Sequence, residues 1–160
     1  MANAITSDAS RTFQRTAWWL GLAGLIPFVA ASLVLLGIGI NNPLADPIIN
    51  AFRGYGIAIL SFLGGIRWGL ALVAESHQHR HDSLSLVLSV VPSLIAWCTI
   101  FMSPIAAIGT LLTGFCAQGA WDTWSAQAGK LPAWFSPLRI TLTLVVALSH
   151  IVLFSLMATA

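Results

Sequence analysis

Arg67 is the residue whose type and setting most restrict the chemistry of this sequence. It stands in SFLGGIRWGLAL, an apolar run with no other charge. A guanidinium keeps its proton in any protein environment and carries five N–H donors. At the centre of a membrane helix such a charge costs roughly 2.5–3.5 kcal/mol on insertion scales, so it must face protein or water. At about 1.5 Å of rise per residue, Arg67 comes out about 10 Å from one end of its helix. Gln118, in a later apolar run, comes out at about the same depth. Asp122 is one turn nearer the end, within reach of the flexible arginine stem. Arg67, Gln118 and Asp122 are therefore expected to form a polar cluster. Such a cluster serves either as an ion pair that fixes helix register or as a seat for an anionic head, a phosphate or carboxylate, reached from the cytoplasmic leaflet.

Other reactive side chains point less sharply. His150 and Ser61 come out at similar depth, about 10–12 Å from the other ends of their helices, and are expected to hydrogen-bond. An intramembrane serine protease is excluded, because no G-x-S sequence is present and no oxyanion donors are indicated. In ESHQHRHD, His77 and His81 are four apart and would share a helix face, a weak candidate pair for a divalent metal. Arg80 between them works against it. Cys98 and Cys116 differ in depth by about 10 Å. That exceeds the roughly 7 Å between Cα atoms that a disulfide allows, so they read as small apolar residues. One membrane histidine is too few for bis-histidine haem. The absence of a carboxylate deep in a span excludes a di-iron site and disfavours a proton relay. No phosphate-binding glycine motif is present. No cofactor and no metal are expected.

The elements that hold these residues follow from composition. The chain has 160 residues, of which 58 % are hydrophobic and 8 % are charged, with mean hydropathy +0.87. A water-soluble domain carries about a quarter charged residues. This balance excludes a cytoplasmic enzyme, a nucleic-acid binder and a disordered chain, and leaves an all-α polytopic membrane protein. Five runs, 18–40, 54–74, 84–102, 105–121 and 138–157, are expected to cross the bilayer as helices. The first exceeds the length of a signal-peptide core and reads as an anchor. Arg11, Arg15, Arg80, Lys130 and Arg139 fall on one side of these spans and only Arg53 on the other. The positive-inside rule then places the N-terminus in the cytoplasm and the C-terminus outside. Residues 41–53 become an outer loop, and 75–83 and 122–137 become cytoplasmic loops. Only Ser103 and Pro104 separate the third and fourth spans, which are expected to form a tight hairpin.

Packing signals are abundant. Ser61, Gly65 and Gly69 recur every fourth residue, as do Ala106, Thr110 and Gly114. Such stripes let helix backbones approach closely, either within the chain or across a homodimer. Trp18, Trp19, Trp121, Trp124 and Trp134 fall at the cytoplasmic boundary as an aromatic belt, whereas Trp68 and Trp97 lie inside spans. Pro27 and Pro92 are expected to kink the first and third spans. The loop Lys130–Arg139, with two prolines, two aromatics and flanking cations, suits the headgroup level.

The segments YG at 55–56, LSFLGGIRWG at 60–69, Asp122, LPAWF at 131–135 and Leu138-Arg139 resemble the family around mitochondrial transmembrane protein 69 and its bacterial relatives, known as domain of unknown function 3429. The resemblance covers about residues 18–156. It implies a small five-span membrane protein and highlights Arg67, Trp68, Asp122 and Arg139. The eukaryotic members imply an energy-converting membrane. Without a recognisable presequence, this chain is expected in a bacterial inner membrane. The likeness to tryptophan-rich sensory proteins is compositional only.

The leading expectation is a non-enzymatic accessory or assembly factor of a larger membrane complex. Its partners would be membrane lipids and a membrane protein or a second copy, and no nucleic acid. The alternative is a binder or carrier of a small anionic amphiphile or lipid with its head near Arg67. An accessory subunit calls for a filled interior and an uncovered helix face. A carrier calls for a cavity of at least about 300 Å³ that reaches Arg67.

Overall fold

The computed structural model describes residues 2–78 and 83–159 of the chain. They fold as helices α1 (Ala2–Ala23), α2 (Ile26–Ile38), α3 (Ala45–Gln78), α4 (Ser83–Cys98), α5 (Pro104–Gln127) and α6 (Phe135–Ala158), with a short 3₁₀ turn at Thr99–Phe101. Four stretches are long and apolar enough to cross a membrane: Ser10–Ile38, Ala45–Val73, Ser83–Phe101 and Phe135–Ala158. The outer surface fits that setting. Leu33, Phe62, Leu94, Phe101, Leu144 and Leu148 are all exposed, a surface that water would not tolerate.

The boundaries differ from the sequence reading where capping and proline chemistry intervene. The first span does not kink at Pro27; it breaks just before it. Pro27 sits in the first turn of α2, where its missing N–H costs nothing. The Tyr55 hydroxyl donates to the Gly24 carbonyl at the break (2.9 Å), which satisfies a group the interrupted helix leaves open. The third helix begins at Ala45 rather than near Gly54, so most of the expected 41–53 loop is helical. Asp46 lies in its first turn, where negative charge favours a helix N-terminus. The expected fourth span, 105–121, lies within α5. That helix continues to Gln127 and includes Asp122 and Ser125, and its polar content keeps it out of the four apolar stretches. It ends in a Schellman motif. Gly129 takes φ +73, its N–H donates to Ala126 O (3.1 Å), and the Lys130 N–H donates to Ser125 O (3.0 Å).

The strongest pairings are α3 with α4 and α5 with α6, while α2 lies against α3 and α6. Phe28 of α2 is the centre of the core. Its ring meets those of Phe52, Tyr55, Phe115 and His150 at 5.0–5.8 Å between centroids. Ser32 joins α2 to α6 by donating to both Phe28 O (2.9 Å) and Ser149 O (3.2 Å). Arg53 braces the 3₁₀ turn that follows α4, donating to Thr99 O (3.0 Å), which also accepts the Met102 N–H (3.2 Å).

Small residues set the helix spacing, but not along the expected stripe. Gly65 and Gly69 of α3 are exposed, with nothing within 4 Å of a Cβ there among the described residues. Gly64 faces α4 instead. A Cβ there would stand 2.7 Å from Ser89 O and 3.5 Å from the Pro92 ring carbon. The Ser93 hydroxyl bridges the same contact by donating to Ser61 O (3.4 Å). In the other stripe Gly114 is buried against Leu60, while Ala106 is exposed.

Gly64→Ala is therefore expected to lower the unfolding free energy in detergent by about 1–3 kcal/mol, the usual cost of overpacking. Gly65→Ala should be neutral within about 0.5 kcal/mol or slightly stabilising through helix propensity. Thermal denaturation of the two variants side by side checks the contrast. Equal effects would place the α3–α4 contact elsewhere.

Candidate functional site

The structure brings Arg67, Gln118, Asp122 and Arg139 together. Arg67 comes from α3, Gln118 and Asp122 from α5, and Arg139 from the first turn or so of α6. All four are buried, the arginines at 9 % and 6 % of their full exposure and Asp122 at 5 %. Arg67 Nε donates to Asp122 Oδ1 (2.7 Å), and its Nη2 lies 2.6 Å from the same oxygen. Nη1 donates to the Ser125 hydroxyl (3.0 Å). Gln118 Nε2 donates more weakly to Oδ1 (3.3 Å). Arg139 Nε approaches the other carboxylate oxygen, Oδ2, at 2.8 Å, without the alignment of a directed hydrogen bond. One carboxylate thus answers two guanidinium groups. Both arginines remain charged, so the cluster keeps one uncompensated positive charge among the described residues.

Helix geometry explains the assembly. Gln118, Trp121, Asp122 and Ser125 are spaced at i, i+3, i+4 and i+7, one face of α5. Gly119 lets α6 close on that face. Any Cβ at Gly119 would collide with the Thr143 side chain, and Thr143 lies one turn beyond Arg139 on α6. Close approach at Gly119 is thus what brings Arg139 within ion-pairing distance of Asp122.

Two partners were not apparent from the sequence. Trp121, which reads as part of the boundary belt, lies under Arg67 with its ring centroid 4.4 Å from Cζ, a cation–π contact. Ser125 falls in the expected 122–137 loop. Its hydroxyl accepts from Arg67 and donates to Trp121 O (2.8 Å). The i+3 and i+7 spacing from Gln118 is the signal that finds both. Trp68, expected beside Arg67, is 43 % exposed and stands outside the cluster. Adjacent residues on a helix point about 100° apart, so Arg67 and Trp68 cannot share a face.

The expected Ser61–His150 pair does not form. Ser61 lies against α4, as described above. His150 is fully buried among Phe28, Phe52 and Phe115, level with Gly56 rather than Ser61. Its Nδ1 donates to Val146 O (2.8 Å), and Nε2 has no partner. Both cysteines are free and exposed. His81 and the side chain of His77 lie outside the described residues. Among the described residues no group of three or more metal-ligating side chains occurs.

Two cavities adjoin the site. One, of about 150 Å³, lies between the α1–α2 break, α3 and α6, with Arg139, Leu142, Thr143 and Val146 along one wall. The other, of about 320 Å³, is an open groove between α5 and α6. Arg67 lines neither of them.

The cluster predicts a large penalty for losing its single acid. Asp122→Asn leaves two buried guanidinium groups unanswered and should cost roughly 3–5 kcal/mol of stability, read by reversible unfolding in mixed micelles. A loss below about 1 kcal/mol would mean that water or lipid already neutralises the arginines.

Comparison with known proteins places the chain. Residues 13–155 match the family described as protein of unknown function (DUF3429). Transmembrane protein 69 of Xenopus tropicalis is 39 % identical over 137 residues, which is 84 % of this chain and 52 % of that protein. Transmembrane protein 69 of Mus musculus is 36 % identical over 140 residues, 86 % of this chain and 55 % of that protein. The chain thus spans about half the length of these curated relatives. No solved structure matches. With nearly the whole helical region matched, the chain belongs to the DUF3429 family of transmembrane protein 69-like membrane proteins.

Proposed function

We infer that the protein is a non-enzymatic, multi-pass membrane protein that acts by contact, as an accessory or assembly factor of a larger membrane complex. The observation that carries this reading is the division among the glycines of α3. Gly56 and Gly64 are buried against neighbouring helices, whereas Gly65 and Gly69 form a bare strip that no other helix covers among the described residues. Small residues on a membrane helix favour close helix–helix approach, and this strip is free to receive a helix from outside the chain.

The polar chemistry supports the same reading. The Ser125 hydroxyl is engaged by Arg67 and Trp121. His150 is enclosed by aromatic rings. No nucleophile, base and orienting group converge among the described residues, as an enzyme site requires. A carrier that moves its ligand past Arg67 is less well supported, because Arg67 lines neither cavity.

The topology is part of the proposal. We take α5 as the fifth crossing. At 24 residues it equals α6, against which it packs, and its polar residues Gln118, Asp122 and Ser125 are buried rather than lipid-facing. Average hydropathy undervalues a helix of this kind. The basic residues then set the N-terminus in the cytoplasm and the C-terminus outside, and the bacterial inner membrane is the proposed location.

Native mass spectrometry of the protein released with its surrounding membrane tests the reading. A stoichiometric partner, a different membrane protein or a second copy, should be present. Gly65→Leu should remove it while leaving the melting temperature of the isolated protein unchanged. A chain that is alone in the membrane, or an association indifferent to Gly65→Leu, would contradict it.

A further inference from the structure

We propose that Arg139 and the cavity beside it form a fixed binding site for an anionic lipid, with the headgroup phosphate on the Arg139 guanidinium and the start of one acyl chain in the cavity. Charge is the first reason. Arg67 and Arg139 share Asp122, and the only other acid among the described side chains, Asp46, is in the first turn of α3, 21 residues from Arg67 and hence about 31 Å away along the helix. Of the two arginines, Arg67 is held by hydrogen bonds from Nε to Asp122 and from Nη1 to Ser125 and by the Trp121 ring, with Nη2 close to Asp122 but without an aligned hydrogen bond. Arg139 presents only Nε to Asp122. Its terminal nitrogens, which carry four of the five N–H donors, have no hydrogen-bond partner among the described residues. Carboxylate and phosphate are the ligands this donor fork fits, and of the two the lipid headgroup level supplies phosphate.

Shape is the second reason. Arg139, Leu142, Thr143 and Val146 form one stripe of α6, at i, i+3, i+4 and i+7, and all four line the cavity. From Arg139 to Val146 the stripe runs about 10 Å along the helix. It starts at a cation, passes Thr143 and ends at the apolar wall of Val146 and Phe28. Leu20 and Phe62, both highly exposed, also line it, so it opens toward the outer surface of the bundle. At about 150 Å³ it is smaller than the roughly 300–1,000 Å³ of sites that enclose a whole ligand. It suits the first few methylenes of one acyl chain, with the rest of the molecule in the bilayer.

Depth is the third reason. Arg139 is four residues into α6, about 6 Å from its start. Trp134 stands just before that start, in edge contact with Phe13 and Phe135. Tryptophans of this kind mark the headgroup level, where a phospholipid phosphate lies.

The full-length protein, purified in mild detergent, is mixed with phosphatidylglycerol or with phosphatidylcholine of the same acyl chains, and bound lipid is counted by native mass spectrometry. Phosphatidylglycerol should bind about tenfold tighter or more, as expected for a charge-assisted pair. Arg139→Gln should abolish that preference. Leu142→Phe, which keeps both arginines and Asp122 and narrows the cavity, should weaken binding by a similar factor and keeps the test valid if Arg139→Gln does not fold. Thermal melting establishes that each variant is folded. Equal binding of the two lipids, or wild-type binding by folded Leu142→Phe, would overturn the proposal. So would binding of inorganic phosphate alone as tight as that of phosphatidylglycerol, which would assign the site to a free anion.

Discussion

A guanidinium in a low-dielectric interior must be met by a carboxylate from another element, and in this chain a single carboxylate meets two. Asp122 receives Arg67 from α3 on one oxygen and faces Arg139 of α6 with the other. Three helices are thereby tied at one level. An unanswered charge at depth costs several kcal/mol, comparable with a substantial part of a domain's net stability. Alternative rotations of α5 that turn Asp122 away are penalised by that amount twice over. The arrangement also dictates the rest of α5. Gln118 and Ser125 share the inward face because a carboxylate and two arginines have further hydrogen-bonding groups to satisfy. A helix that is only moderately apolar is therefore kept among apolar neighbours.

The network requires the helices to lie close, and glycines permit it at the positions that matter. Gly119 admits Thr143 beside the Asp122–Arg139 pair, Gly114 admits Leu60, and Gly56 leaves room for Leu111. Away from the charges the core is aromatic. Phe28, Phe52, Phe115 and His150 are mutually edge-on or tilted, the arrangement favoured by ring quadrupoles. His150 fits there by donating to the carbonyl one turn back, at Val146. The bundle therefore has a charged layer near one end, built by α3, α5 and α6, and an aromatic layer deeper in, centred on Phe28 of α2.

Much of this was legible from the sequence because depth along a helix is additive. Counting rise per residue places Arg67, Gln118 and Asp122 at compatible heights, and the family resemblance adds Arg139. Rotation about the helix axis is not additive in the same way, since it depends on which neighbour a face meets. That is why Trp68, highlighted with Arg67, points elsewhere, why Trp121 reads as part of the belt and Ser125 as part of a loop, and why depth leaves open whether Gly65 and Gly69 pack within the chain or outside it. Ser61 and His150 had similar estimated depths, but the early start of α3 at Ala45 shifted the scale on which Ser61 was measured. Helix ends were displaced for local reasons: the Schellman turn at Gly129 extended α5, and Pro27 with Gly24 divided the first span.

The central claim is that Asp122 is energetically coupled to the arginines rather than merely near them. A double-mutant cycle measures this directly, with Arg67→Met, Asp122→Asn and the double variant unfolded reversibly in mixed micelles. The account predicts that the double variant loses less stability than the two single variants combined, with a coupling of about 1.5 kcal/mol or more. Additivity within about 0.5 kcal/mol would contradict it and would reduce the buried charges to incidental neighbours.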